Sequence, residues 1–219
     1  VYEGPMSRDP IVMAPVTLVG RQQRRHLVTR VKEILAHECG LDEVCTYSFD
    51  SRAVLGRLGY EPDTPLTLKN SLSSDMVSLR TDLMPSLLAA LERNATRLNE
   101  FGFFEVARVF FDRQDATGTM VQPNHVGMVL YDRNARDDAS ALMLFRRAKG
   151  IVAHLFDRLD VTGGDLVSPC TTERPWVHPA RQIAIRVGER TLGYLCGLHP
   201  ATMGALDCLG SAVVAEFDV

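Results

Sequence analysis

The sequence predicts an α+β fold organised round a mainly antiparallel sheet. Three observations lead there. The segments "QIAIRV" and "TLGYLCGL" flank the turn "GER" as the arms of a hairpin would. An aromatic run, "FGFFEVARVFFD", is followed after one loop by a second strand candidate, "HVGMVLY". The amphipathic helices are mixed with hairpins instead of alternating with single strands, which argues against a doubly wound parallel sheet.

Residues 1–20 carry Pro5, Pro10, Pro15 and two glycines with no period, and read as a linker from an upstream module. Residues 21–219 read as one core domain. The absent initiator Met and the end at "EFDV" point to a piece of a longer chain. From Arg24, Leu27, Val31, Ile34 and Leu35 recur at helical spacing, and Gly40 supplies a left-handed stop. "EVCTYSF" combines β-branched and aromatic residues and predicts a half-buried strand. Pro62 and Pro65 interrupt the next loop, and "LTL" resumes extended structure.

"VSLR" predicts a short strand. Asp82 is placed as the N-cap of a helix reaching about Leu98, with Pro85 tolerated in its first turn because the missing N–H would have no intrahelical partner. Leu83, Leu87, Leu91 and Ala95 form its buried stripe, with Leu88 beside them. The aromatic run that follows is expected near the sheet centre. Leu144, Ala148, Ile151, Val152, Leu155 and Leu159 define a long amphipathic helix, where Gly150 costs about 1 kcal/mol unless close packing needs it. After Gly163 and Gly164 comes the hairpin, and "AVVAEF" is the final strand.

The bulk numbers narrow the function classes. With 46% hydrophobic and 23% charged residues the chain is an ordinary globular protein. A net charge of −3 gives no general reason to bind nucleic acid. The one dense basic run, Arg21 to His26, reads first as a solvated helix start, although it could touch RNA phosphates. Five cysteines without a CxxC pair suggest neither a disulfide framework nor a zinc knuckle, and fit a reducing cytosol. No apolar run is long enough to span a bilayer.

The recognisable catalytic patterns are missing. There is no GxSxG elbow and no GxxxxGK[ST] loop, and "GRLGY" at 56–60 is not a dinucleotide fingerprint. Ser73 and Ser74 read as a cap or turn. His178 and His199, each before a proline, read as turn residues and not as metal ligands. Glu105 and Asp112, an odd number of residues apart on one strand, point to opposite faces and make no acid–base pair.

The ordered blocks "GLDEVCTYSF", "NSLSSDMVSLRTDLMPSLLAALERN", "FFEVARVF", "FRRAKGIVAHLF" and "HPARQIAI…TLGYLCGLHP" resemble the β subunit of bacterial phenylalanyl-tRNA synthetase over about residues 24–219. Ser71 departs from the Pro usual there. The resemblance implies a class II synthetase-like core that is a non-catalytic copy of the catalytic fold, in a cytoplasmic α2β2 assembly. The partner α subunit would charge the phenylalanine tRNA using ATP and magnesium.

The resemblance also marks positions at which class II motifs should stand. Tyr47 occupies the place of the Pro that ends the first motif. Phe111 and Arg113 occupy the places of the Arg and Glu of the F-R-x-E motif, which removes the guanidinium fork that holds a phosphate and reverses a charge. "YLCGLHPATMGALD" has the glycines of the third motif but not its Arg. No catalytic residue and no metal ligand is therefore expected here. Arg80, Arg108 and Arg181 remain as candidate anion contacts. Leu27, Val31 and Ile34 on the first helix are the candidate interface with α. The alternative is a synthetase-like domain that kept ATP or amino-acid binding for regulation or another ligation.

Overall fold

The computed structural model describes residues 23–62, 65–70, 73–168, 170 and 172–219. The linker at 1–20, Arg21 and Ser71 lie outside the described residues. The first helix, α1 (Gln23–Glu33), continues through one π-helical turn, Ile34–Glu38, closed by the Cys39 amide on the Ile34 carbonyl at 3.0 Å. Gly40 stops it at φ 67°.

A seven-stranded sheet follows from β1 (Asp42–Glu43), β4 (Glu100–Arg108), β5 (Asn124–Asp132), β6 (Gly164–Val167), β7 (Val177–Val187), β8 (Arg190–Leu198) and β9 (Ser211–Asp218), in the spatial order β1-β4-β5-β9-β8-β7-β6. Every neighbouring pair is antiparallel except β1 with β4. A small second sheet pairs β2 (Phe49–Ser51) with β3 (Met76–Leu79). The remaining helices are α2 (Arg52–Leu58), α3 (Met84–Ala95), α4 (Asp138–Arg158) and α5 (Pro200–Ala205).

Strand alternation sends side chains to two cores. Phe104, Val106, Met128, Leu130, Val213 and Ala215 face one way, against α1 and α4. Phe103, Val129, Tyr131, Val214 and Tyr194 face the other way, against α2, α3 and α5. Gly127 lies under α3, where an added Cβ would sit 2.4 Å from the Leu87 side chain. Gly193 is tighter, since its Cβ would meet the Glu216 carbonyl at 1.9 Å.

Several expectations are corrected. "EVCTYSF" is not one strand. After Val44 bonds Phe104, the Thr46 amide is taken by the Glu105 carboxylate at 3.2 Å, and the ladder ends. The aromatic strand β4 is second from the edge, beside the two-residue β1, whereas β9 holds the centre. Asp112 lies beyond its end and is exposed. Asp82 does not cap α3, because its carboxylate serves other donors, and the helix ends at Ala95. Ser73 accepts from the Asp75 amide as a turn residue, at 3.2 Å. Asp75 in turn accepts from Ala53 at 3.0 Å and steadies the start of α2, a helix that the periodicity did not reveal.

Candidate functional site

The sheet face under α3 is unusual for a core, because it carries polar side chains in register. Glu105, His125, Tyr194 and Glu216 project from four different strands onto that face. Asp50 from β2, Arg80, Thr81 and Asp82 from the segment before α3, and Tyr60 and Arg174 from loops close over it. Asp50, Arg80, Asp82, Glu105 and Glu216 are all buried.

Two networks satisfy most of these groups. Arg80 donates from Nη1 to Glu105 at 3.1 Å and to the Thr46 hydroxyl at 2.8 Å, and from Nε to the Arg108 carbonyl at 3.0 Å. Asp82 accepts from the Arg174 guanidinium at 2.9 Å, from Thr81 at 3.0 Å and from the Tyr60 hydroxyl. Arg174 also lies over the Tyr60 ring at 5.0 Å, and Tyr60 meets Trp176 edge-on at 4.9 Å. The Trp176 indole N–H donates to the Tyr194 hydroxyl at 3.0 Å.

Glu216 joins the sheet to the helix. Its Oε1 accepts the Leu83 amide at the entrance of α3 and lies 2.9 Å from His125 Nδ1. Burial opposes charge on His125, yet the Glu216 hydrogen bond and the charges of Glu216, Asp218 and Asp82 hold its pKa above the ordinary value. Asp50 is the outlier. Neither of its oxygens has a partner at full hydrogen-bond geometry, and burial, reinforced by the Asp82 and Glu216 carboxylates, pushes its pKa up to about 7, against the pull of Arg80 and a weaker one from the Thr81 backbone amide. Glu216 Oε2, Gln182 Oε1 and Arg186 Nε are likewise buried without partners.

The motif positions border this face: the Tyr47 carbonyl accepts from Arg80 Nη1 at 3.4 Å, and the Phe111 ring lies 6.5 Å from the His125 ring, centroid to centroid. Tyr47 is 75% exposed. The Arg113 guanidinium stacks over the Phe111 ring at 5.1 Å, so the two residues standing for the phosphate-holding Arg and its Glu satisfy each other. Among the described residues no group of three or more His, Cys, Asp or Glu is placed to hold a metal ion.

The candidate anion contacts are not brought together. Arg80 is 2% exposed and its Nε and Nη1 are committed internally. Arg108 lines a surface groove beside α1. Arg181 lines a different one near the start of α4 and pairs with Asp138 at 3.3 Å. His178 and His199 lie with ring centroids 6.4 Å apart, and each accepts a nearby backbone amide as a turn or cap residue. The interface candidates divide as well. Val31 and Ile34 are fully buried against this chain's own core, and only Leu27, 36% exposed, reaches the surface. Helical spacing showed that the stripe is apolar, but not which surface it meets.

Solved synthetases share the fold. A pyrrolysyl tRNA synthetase from Desulfitobacterium hafniense superposes with a TM-score of 0.68 at 12% identity, covering 89% of this chain and 64% of that one. The prolyl-tRNA synthetase of Giardia lamblia, in complex with prolyl-adenylate, gives 0.67 at 10% identity over 89% and 43%. Sheet order and superposition together define a class II synthetase fold. Within that class, the family described as the phenylalanyl tRNA synthetase beta chain CLM domain matches residues 10–219, and the chain belongs to it. The phenylalanine–tRNA ligase beta subunit of Rhodospirillum rubrum is 32% identical over 98% of this chain and 26% of its own length. That of Moorella thermoacetica is 30% identical over 93% and 26%. The chain thus spans about a quarter of the length of these curated relatives. No helix among the described residues is long and apolar enough to cross a membrane.

Proposed function

We propose that residues 21–219 form a structural, non-catalytic domain of a phenylalanine–tRNA ligase β subunit, preceded by a linker at 1–20, in a cytoplasmic α2β2 assembly. In this reading the α subunit carries out the ATP- and magnesium-dependent charging of phenylalanine tRNA, and this domain supports it. The observation that carries the reading is the Phe111–Arg113 stack. A fixed guanidinium fork that would stabilise charge during adenylate formation is replaced by an aromatic ring already occupied by a neighbouring cation.

The assembly claim is tested by light scattering of the protein alone and mixed with its cognate α subunit. A defined mixed complex is expected. Leu27→Glu, at an exposed position of α1, should leave the fold intact and weaken that complex; undiminished association would remove the α1 surface from the interface. A second reading, retention of a small polar ligand, is favoured by the partnerless buried atoms of Asp50, Gln182, Arg186 and Glu216. Calorimetry with ATP, phenylalanine and an adenylate analogue discriminates the two. Saturable binding promotes the ligand reading, and silence at millimolar concentration leaves the structural one.

A further inference from the structure

We propose that the pocket where the first turn of α4 meets β7, the end of β8 and the start of β9 binds a small monoanionic carboxylate with an apolar tail, its head held by His178 and Arg181. The pocket measures about 420 Å³, and much of its wall is apolar or small, with Ala141 from α4, Gly197 and Leu198 from β8, Met203 from α5 and Val213 from β9. Arg136, His178 and Arg181 stand among them. A few polar groups set in an apolar wall of that size are the usual form of a small-molecule site. Nothing here depends on assembly with α, since the pocket shares no lining residue with α1 or with the polar cluster under α3.

The polar end of the pocket is one acceptor short. A neutral imidazole carries one donor and one acceptor. His178 Nδ1 accepts the Ala180 amide at 3.1 Å, so the ring proton is on Nε2, which lies 3.4 Å from Arg181 Nη2. Both of those nitrogens are donors, and the turn leaves Nε2 to the pocket. Protonating the ring would add no acceptor, and burial, Arg181 and His199 hold its pKa below the ordinary value against the pull of Asp138. Two donors face to face repel unless an electronegative atom lies between them, and one anionic oxygen serves both. Arg181 already takes a carboxylate, that of Asp138 at 3.3 Å, but the Asp138 side chain is fully exposed and holds it weakly. A ligand carboxylate in its place gains the His178 donor as well. Asp137 is spent on capping α4 through the Ser140 amide at 2.7 Å. With Arg136 and Arg181 set against Asp137 and Asp138, the pocket has no surplus charge for a dianion, which favours a carboxylate over a phosphate. Gly197 completes the cradle. A Cβ added there would lie 3.5 Å from the Arg181 Cβ and 3.8 Å from the His178 Cβ, ordinary contacts that the fold tolerates, so the bare glycine keeps open the space beside the two stems.

The test is calorimetric titration of the full-length protein with hexanoate, hexylamine and inorganic phosphate, comparing the wild type with Arg181→Gln and Gly197→Ala. Saturable binding of hexanoate at millimolar concentration is expected, with neither hexylamine nor phosphate displacing it. Arg181→Gln keeps a donor but loses the charge, and should weaken hexanoate binding by roughly 10- to 100-fold. Gly197→Ala keeps every charge and places a methyl group in the cradle. It should weaken binding by about 10-fold while the thermal midpoint holds or rises, and it carries the test if Arg181→Gln does not fold. Silence of the wild type toward hexanoate overturns the proposal, as does binding undiminished in either folded variant. Equal binding of hexylamine would show an apolar cavity without an anion site, and equal binding of phosphate would remove the preference for a monoanion. Either result overturns it too.

Discussion

Replacing Asp50 by Asn should stabilise the domain increasingly as pH rises. Asp50 is 1% exposed, has no partner at full hydrogen-bond geometry for either oxygen, and shares its surroundings with the Asp82 and Glu216 carboxylates, which outweigh the pull of Arg80 and the Thr81 amide. Its pKa moves from 3.8 unfolded to about 7 folded, so folding takes up a proton between those values. The stability associated with the protonated carboxyl is fully present below pH 3.8 and is lost as pH rises through about 7. A shift of roughly three pK units corresponds to about 4 kcal/mol in total, of which about 2–3 kcal/mol falls between pH 5 and 8. Asn keeps the shape and never ionises, so Asp50→Asn should lack this decline. Urea unfolding followed by circular dichroism at pH 5, 6, 7 and 8 gives the difference between variant and wild type, which cancels the pH dependence of His125 and the other acids to first order. The stability gap should widen by about 2–3 kcal/mol over that interval. A gap constant to within about 1 kcal/mol would refute the claim that folding holds a proton on Asp50.

Other consequences can be measured on the same material. Arg80→Ala leaves Glu105 buried with only Thr46 to serve it and should cost about 3–5 kcal/mol, whereas Arg80→Met with Glu105→Leu should recover most of that loss in denaturant titrations. Gly150 faces solvent in the middle of α4 with no atom within 4 Å of an added Cβ, so Gly150→Ala should raise stability by about 0.5–1 kcal/mol; a loss would mean that the position is packed. Gly193→Ala drives a methyl into the β9 backbone and should lower stability by about 1–3 kcal/mol or more, read as a fall in the thermal midpoint.

Local periodicity carried much of the architecture. The hairpin of β7 and β8, the leucine stripe of α3 and the long run of α4 each repeat a signal within a few residues, and each is present. Features that depend on distant partners were not legible. The alternation in β4 reports a buried face but not how many strands lie on either side. The short α2 draws its capping from Ser51 and from Asp75, across an intervening loop. The apolar spacing of Val31 and Ile34 implied burial and left the burying surface open.

The candidate site shows the same limit more sharply. Asp50, Tyr60, Asp82, Arg174 and Glu216 are scattered along the chain, and no spacing rule joins them. A signal was nevertheless present in "FFEVA" and "VVAEF", where a carboxylate occupies an alternating position inside an otherwise apolar strand. Such a residue must find partners from elsewhere, as Glu105 does in Arg80 and Thr46, and Glu216 in His125 and the Leu83 amide.

The position of β9 sets an order of events during synthesis. One half-sheet, β4 with β5, and the other, β6 to β8, are made first, and neither touches the other directly in the strand order. They are joined by Ser211–Asp218, which reaches open solution only after the other strands of this sheet have left the ribosome. Until then two unpaired edges wait in a nascent chain, exposed to chaperones and to self-association. The same strand delivers Glu216 to the mouth of α3, so the helix loses its remote anchor in any chain released too early. A chain cut short before Ser211 should therefore yield two unjoined half-sheets in place of this domain, and the centre of the sheet acts as a check that the domain was made to its last strand.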